Sequence, residues 1–392
     1  TAVKIAPCYR GLTLHVRDAS RAVTAVAEIL HPDRGCAFAA AERTRQAGIR
    51  ESHASGVSRP WVALTDARAE RLAIEWRAAD VAEPPFTGHR LLDEISLADV
   101  VPYIDWTPFF HVWELRGVYP SILDKPDVGD AAREVLHDGR RLLDEIVAGG
   151  DLRAKAVYGF YWAQSDGDDI VLYADADRRV ERCRFHMLRQ QRRAGTAPFL
   201  SLADFVAPNG AGGDTIGAFA VTAGLGVDEM VARFERDQDD YHAIMVKAIA
   251  DRLAEALAEL MHERARRECG IESGEATSKE DLFAETYRGI RPAVGYPACP
   301  DHTEKGTLFS LLDAEAGLGV RLTESFAMTP TASVCGLYFN HPDARYFSVG
   351  KIGRDQVEDY ATRKGWSVAE TERWLQANLD YLPNSRGNEP TG

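Results

Sequence analysis

Apolar residues between positions 241 and 261 recur at steps of three and four: Tyr241, Ile244, Met245, Ala248, Ile249, Leu253, Ala256, Leu257, Leu260 and Met261. That spacing places them on one face of an α-helix. Residues 230–269 contain neither Gly nor Pro, so the pattern predicts one long amphipathic helix over the whole stretch. Lys247, Asp251, Glu255, Glu259 and Glu263 follow at four-residue steps and read as its solvated face. A shorter helix is predicted over 131–148, ended by Gly149-Gly150, and another over 305–316. Two helices close the chain. Gly365 ends the first, and Ser367 with Glu370 three residues later forms a capping box for the second.

Elsewhere the period is two. Residues 157–162 and 169–173 flank Asp166-Gly167-Asp168, which predicts a β-hairpin. Residues 216–222 predict a further strand, and 334–340 and 345–351 two more around His341-Pro342-Asp343. Near the start, Leu12, Leu14 and Val16 alternate with Thr13 and His15, a strand pattern followed by a helix up to Leu30. Hairpin-like strand pairs separated by long helices indicate an α+β fold with a twisted antiparallel sheet and long flanking helices.

The same pattern divides the chain. Residues 1–30 form a strand–turn–helix piece too small for a domain, a short α/β remnant of one whose front is absent. Residues 31–60 lose apolar periodicity and read as a linker that can carry a short charged helix. No comparable break follows across 61–385, which reads as one large domain, with 386–392 as a tail. The chain opens on Thr1 rather than Met, so its true N-terminus is expected to lie upstream.

Composition narrows the function classes. Of 392 residues, 45% are hydrophobic and 27% charged, ordinary for a soluble globular protein. No apolar run approaches the roughly 18 residues that span a bilayer, and no secretory leader is recognisable. The net charge of -14 disfavours nucleic acid and anionic membrane as partners. Cys8, Cys36, Cys183, Cys269, Cys299 and Cys335 are scattered without a CxxC pair. That spacing argues against a disulfide framework and a cysteine zinc site, and suits reduced thiols in a cytoplasmic protein, expected to be a monomer.

Familiar catalytic patterns are missing. Thr222-Ala223-Gly224-Leu225-Gly226 lacks the third glycine and acidic partner of a dinucleotide fingerprint. His262-Glu263 is not continued as HExxH, and His302 with Glu304 is too small a set for a metal. No nucleophile elbow occurs, so neither a catalytic nor a metal-ligating set is assigned. Two residues stand out instead. Asp105 is a lone acid among Tyr103, Ile104, Trp106, Phe109 and Phe110. It either caps a short helix or binds a cation. Arg291 opens a stretch with Pro292, Gly295, Pro297 and Pro300, a stiff loop on which a guanidinium could clamp a carboxylate or serve a structural ion pair. Glu255 belongs to the polar helix stripe, and either Tyr346 or Phe347 is expected to face the core. An acid, an arginine and aromatics suit a small zwitterionic, cationic ligand.

Longer blocks carry a resemblance. They include Pro85-Phe86-Thr87-Gly88, Tyr103-Ile104-Asp105-Trp106-Thr107-Pro108-Phe109-Phe110, and Gly289-Ile290-Arg291-Pro292-Ala293 continuing through Gly295-Tyr296-Pro297-Ala298-Cys299-Pro300. Leu322-Thr323-Glu324-Ser325-Phe326-Ala327-Met328 and Arg354-Asp355-Gln356-Val357-Glu358-Asp359-Tyr360-Ala361 follow in the same order. Residues 61–380 resemble the activation domain of cobalamin-dependent methionine synthases, and Thr1 to Pro7 with Ala19-Ser20-Arg21 resemble the end of that family's cobalamin-binding domain.

The resemblance implies a module that binds S-adenosylmethionine (AdoMet) and presents its methyl group for reductive methylation of inactive cob(II)alamin, supporting methionine synthesis from homocysteine. It implies AdoMet contacts at Asp105, Arg291, Tyr346 and Phe347, and less directly at Glu255, Glu285, Ala293, Gly295 and Tyr296. The family commonly has two tyrosines where this chain has Tyr346-Phe347, so Phe347 offers ring or backbone only. Gly159 to Ala163 also departs from the family's usual Phe-Pro-Ala. The resemblance further implies that cobalamin is held mainly by an upstream domain and that zinc belongs to an upstream homocysteine module. Flavodoxin or a flavoprotein reductase would be the electron-supplying partner. The chain would be an excised fragment or a split subunit, unable to make methionine by itself. The competing readings are a docking module for reductase and cobalamin domain with little AdoMet binding, and a free-standing AdoMet methyltransferase.

Overall fold

A computed structural model describes residues 2, 5–9, 11–15, 19–32, 34–55, 61–271 and 286–383. The chain divides into two compact units, Thr1–Trp61 and Val62–Gly392. Among its described residues the first holds two α-helices, α1 (Ala19–Leu30) and α2 (Gly35–Ser55), and a short 3-10 turn at Ala6–Cys8. Two expectations change here. Residues 11–15 do not form the strand predicted from Leu12 and Leu14, while Val16 lies outside the described residues. The Thr13 carbonyl instead accepts the Gln46 side-chain amide at 2.6 Å. A backbone acceptor without a neighbouring strand must find such a side chain. Within the stretch read as a linker with a short charged helix, Gly35–Ser55 form a single helix of 21 residues, longer than expected.

The second unit is built on a six-stranded antiparallel sheet. Its strands are β1 (Gly88–Ile95), β2 (Arg153–Asp166), β3 (Asp169–Tyr173), β4 (Glu181–His186), β5 (Asp214–Leu225) and β6 (Ser333–Tyr338). The order is β4-β3-β2-β5-β6. β5 runs along one edge of β2, while β1 and β3 share its other edge. The predicted hairpin is present, closing on the Asp166–Asp169 pair with Gly167 at φ 63°. Gly159 is demanded by packing rather than by a turn. A Cβ there would lie 2.3 Å from the Gly88 carbonyl oxygen, so only glycine lets β1 approach β2.

Both sheet faces are buried, which is why β2 and β5 read as near-continuous apolar runs. Successive side chains point to opposite faces. Ala154, Ala156, Tyr158, Phe160, Phe219, Val221 and Ala223 pack into one core. Val157, Tyr161, Ala163, Ile216, Ala218 and Ala220 pack into the other. The first core is covered by helix α3 (Gly129–Gly149) and by the pair α4 (Val227–Arg236) and α5 (Asp240–Glu268). The second is covered by α6 (Glu304–Leu312). Among the described residues, no helix is long and apolar enough to cross a membrane.

Three helix and strand expectations are corrected. The helix predicted over 230–269 is two helices, broken where Gln238 takes a left-handed φ of 58°. Asp239 then caps α5 by accepting the His242 N–H at 3.0 Å. The local alternative offered by that carboxylate outweighs helix continuity. Likewise the helix expected over 305–316 stops at Leu312, and a short helix, Ala314–Leu318, follows the left-handed Asp313. Finally, residues 345–351 are not a strand, although 333–338 are. The edge of β6 is taken instead by residues 290–294. Ile290 and Phe339 exchange two hydrogen bonds of 3.0 Å, Leu337 N–H donates to Pro292, and Val294 N–H donates to Cys335.

The C-terminal helices α7 (Arg354–Lys364) and α8 (Val368–Trp374) form as predicted. Gly365 is left-handed at φ 69°, and the Ser367 side chain accepts the Glu370 N–H at 3.2 Å, one arm of the predicted capping box; the return bond from the Glu370 side chain is not made among the described residues. Ion pairs fasten α7 to the hairpin turn and to the start of α6. Arg68 bridges Asp168 of the hairpin turn and Asp359 of α7, and Lys364 reaches Asp301 and Glu304, both at 2.8 Å.

Candidate ligand site

The edge pairing of residues 290–294 on β6 fixes the candidate site. Pro292 has no N–H to give, which an edge position tolerates. Gly295 turns the chain at φ 94°, and a Cβ there would meet the His302 ring at 2.6 Å. Gly336 on β6 lets the loop lie close, because a Cβ there would stand 2.4 Å from the Pro292 carbonyl oxygen and 3.0 Å from the Ala293 Cα. Gly336→Ala should therefore push the Arg291 segment outward. Overpacking of this kind costs about 1–3 kcal/mol. Thermal unfolding should show the lower stability, and a ligand that uses Arg291 should bind more weakly although no contact residue has changed.

A pocket of about 240 Å3 opens beside this segment. Its walls include Glu255 from α5, Arg291, Ala293 and Tyr296 from the loop, and Tyr346 and Phe347 from the extended segment after β6. Six sequence-predicted residues thus converge. Gly295 shapes the turn without lining the pocket. Asp105 does not line it either. Its carboxylate is exposed and accepts the Thr107 N–H at 2.8 Å, one residue before the cap position, which Trp106 holds without a side-chain cap bond, so the helix-cap expectation is not met as such. Glu285 lies outside the described residues.

Arg291 is held from behind. Its Nε and Nη2 both donate to Glu259 Oε2, at 3.1 and 2.6 Å, and its backbone N–H donates to the Tyr346 hydroxyl at 3.1 Å. Burial is the largest single influence and would make the guanidinium easier to deprotonate, but Glu259, Tyr346 and Tyr287 together outweigh it and hold the proton more firmly than usual. Glu259 also accepts from the Tyr287 hydroxyl at 3.3 Å and lies 3.9 Å from Arg266. Burial raises the Glu255 carboxyl above its ordinary range, and Arg291 works against that rise.

Here the solvated-face reading of the 247–263 stripe holds for Lys247 and Asp251, which are exposed, and fails from Glu259 on. Glu259 and Glu263 are buried, at 8% and 3% exposure. Glu263 accepts the Tyr103 hydroxyl at 2.5 Å, and Tyr103 precedes Asp105 by two residues. One helix face therefore carries the pocket wall at Glu255, the Arg291 anchor at Glu259 and the anchor of the Asp105 segment at Glu263. From Glu255 to Glu263 the axial rise is about 12 Å. Sequence reasoning missed Glu259 and Tyr287. The only available signal was the four-residue step from Glu255 to Glu259, which a solvated face would show equally well.

A larger cavity of about 410 Å3 lies near residues 93–98 and 147–155. Asp93, Glu94, Arg153 and Lys155 line it, with Lys155 paired to Asp93, but no aromatic ring does, whereas three rings line the smaller pocket beside its guanidinium and carboxylate. Convergent chemistry rather than size selects the smaller one.

Comparison with known proteins bears on the family and the fold. Residues 96–365 match the family model described as "Vitamin B12 dependent methionine synthase, activation domain". A crystal structure titled as the MetH reactivation domain bound to AdoHcy is 49% identical in sequence, with a TM-score of 0.79, covering 82% of this chain and 100% of that one. The α+β fold with its antiparallel sheet is the one this structure shares. With both the sequence match and the shared fold in place, the chain belongs to the family of vitamin B12-dependent methionine synthase activation domains.

Proposed function

We propose that this chain binds AdoMet in the 240 Å3 pocket and presents its methyl group for cobalamin reactivation. The observation that carries the reading is the set of groups converging there: a guanidinium, a carboxylate and three aromatic rings, from Arg291, Glu255, Tyr296, Tyr346 and Phe347. AdoMet is a zwitterion with an added sulfonium, so it needs an anion clamp and a cation-friendly wall. Arg291 supplies the clamp. The Glu255 carboxylate and the aromatic faces suit the positive groups. Asp105 is the further candidate contact. One of its oxygens is taken by Thr107, and the other has no partner among the described residues.

AdoMet would supply an electrophilic methyl group, and reduced cobalamin from an upstream domain would supply the nucleophile. The side chains described here hold and orient AdoMet, which is catalysis by proximity. Flavodoxin or a flavoprotein reductase would be the electron source, in the cytoplasm. The chain alone is not expected to form methionine.

Titration calorimetry on this chain should give saturable one-to-one AdoMet binding. Absence of binding would sink the reading and leave the docking-module alternative. The affinity should fall as pH is lowered toward the raised pKa of Glu255, because protonation removes the charge that faces the cation. Glu255→Gln should weaken binding at neutral pH and flatten that dependence. An unchanged pH profile in the variant would remove Glu255 from the site.

A further inference from the structure

Arg291 has five N–H donors arranged as two bidentate edges. Glu259 occupies one edge, through Nε and Nη2. The Nη1 end makes no hydrogen bond among the described residues, and Arg291 lines the pocket. Glu259 therefore decides which edge of the guanidinium is spent inside the protein and which is left for a ligand. It does so from a rigid place, as a buried residue within a 29-residue helix. The pocket side of the fork is further set by Tyr346, whose hydroxyl takes the Arg291 backbone N–H.

We propose that Glu259 is a positioning residue: by holding the Nε–Nη2 edge of Arg291, it aims the Nη1–Nη2 edge into the pocket and confers selectivity for ligands that carry an α-carboxylate. This rests on the reading of the pocket as an AdoMet site. Glu259 does not line the pocket; it reaches the ligand through Arg291, and its charge also raises the Glu255 carboxyl, an influence common to both ligands compared below. Deleting Arg291 removes the clamp. Changing Glu259 leaves the clamp present but frees it to rotate or to spend its second edge elsewhere. A fork that must be ordered on binding loses part of the advantage of a preset one.

The test uses two ligands that differ only at the carboxylate, AdoMet and decarboxylated AdoMet, titrated into the wild-type chain and into Glu259→Gln. The wild type should prefer AdoMet by about tenfold or more, the size of a charge-assisted contact. Glu259→Gln should shrink that preference to within about threefold, with affinity for the decarboxylated ligand unchanged within about twofold. A merely structural role would weaken both ligands alike, and that result overturns the proposal. A preference that survives in the variant overturns it too. No preference in the wild type instead overturns the reading of Arg291 as the carboxylate clamp. Should Glu259→Gln fail to fold, Glu259→Asp keeps the charge but shortens the reach, and it should reduce the preference without abolishing it. An undiminished preference in a folded Glu259→Asp protein again counts against the positioning role.

Discussion

Arg291→Ala should weaken AdoMet binding by about 1.5–3 kcal/mol, the usual range for a charge-assisted hydrogen bond. The same change should destabilise the protein by about 3 kcal/mol, because removing one partner of a buried pair leaves the other charge poorly compensated. Glu259 would keep the Tyr287 hydroxyl at 3.3 Å and Arg266 at 3.9 Å, but would lose its two closest cationic donors from Arg291. Calorimetry would read the first effect and urea denaturation the second. Arg291→Lys separates them. It restores a charge near Glu259 but cannot offer two edges at once, so stability should recover more than affinity. If affinity returned fully with lysine, the bidentate clamp would be wrong.

The largest loss of stability is expected at Arg189, away from the pocket. Its side chain is fully buried and donates to Asp168 at 2.8 Å, to Asp204 at 2.7 Å through two nitrogens, and to the Phe199 carbonyl at 2.7 Å. Arg189→Met keeps the bulk but strands two buried carboxylates. Asp168 retains Arg68, and Asp204 retains the Ser201 N–H at 2.9 Å. Breaking such a pair costs about 3–5 kcal/mol. The urea midpoint should fall accordingly with little change in slope, and a shift below about 1 kcal/mol would show that the network relaxes around the loss. AdoMet affinity in the folded fraction should be unaffected.

The stripe at 247–263 shows where sequence reading reached its limit. Four-residue spacing placed Glu255, Glu259 and Glu263 on one helix face, and that was right. Whether the face met water or protein depended on what packed against it. Tyr103 lies 160 positions from Glu263 in the chain, and Arg291 lies 32 from Glu259. No local pattern registers partners at those separations. Residues 345–351 failed for a related reason. Their alternation suits a strand, but the edge of β6 was already taken by 290–294, and an edge accepts only one partner.

Local physics settled other things without help. The turn at Gly167, the stop at Gly365 and the cap at Ser367 depend on residues within a few positions of each other, and each is where the sequence puts it. The family was also legible, because long ordered blocks such as residues 289–300 cannot recur by chance. Tertiary structure alone decided the site's geometry. It brought a helix wall, an edge-paired loop and the segment after β6 around one pocket, and it turned a stripe expected to be solvated into the anchor of Arg291. Hydrophobic period and turn chemistry are properties of neighbouring residues. The burial of a charge is a property of whatever the rest of the chain places beside it.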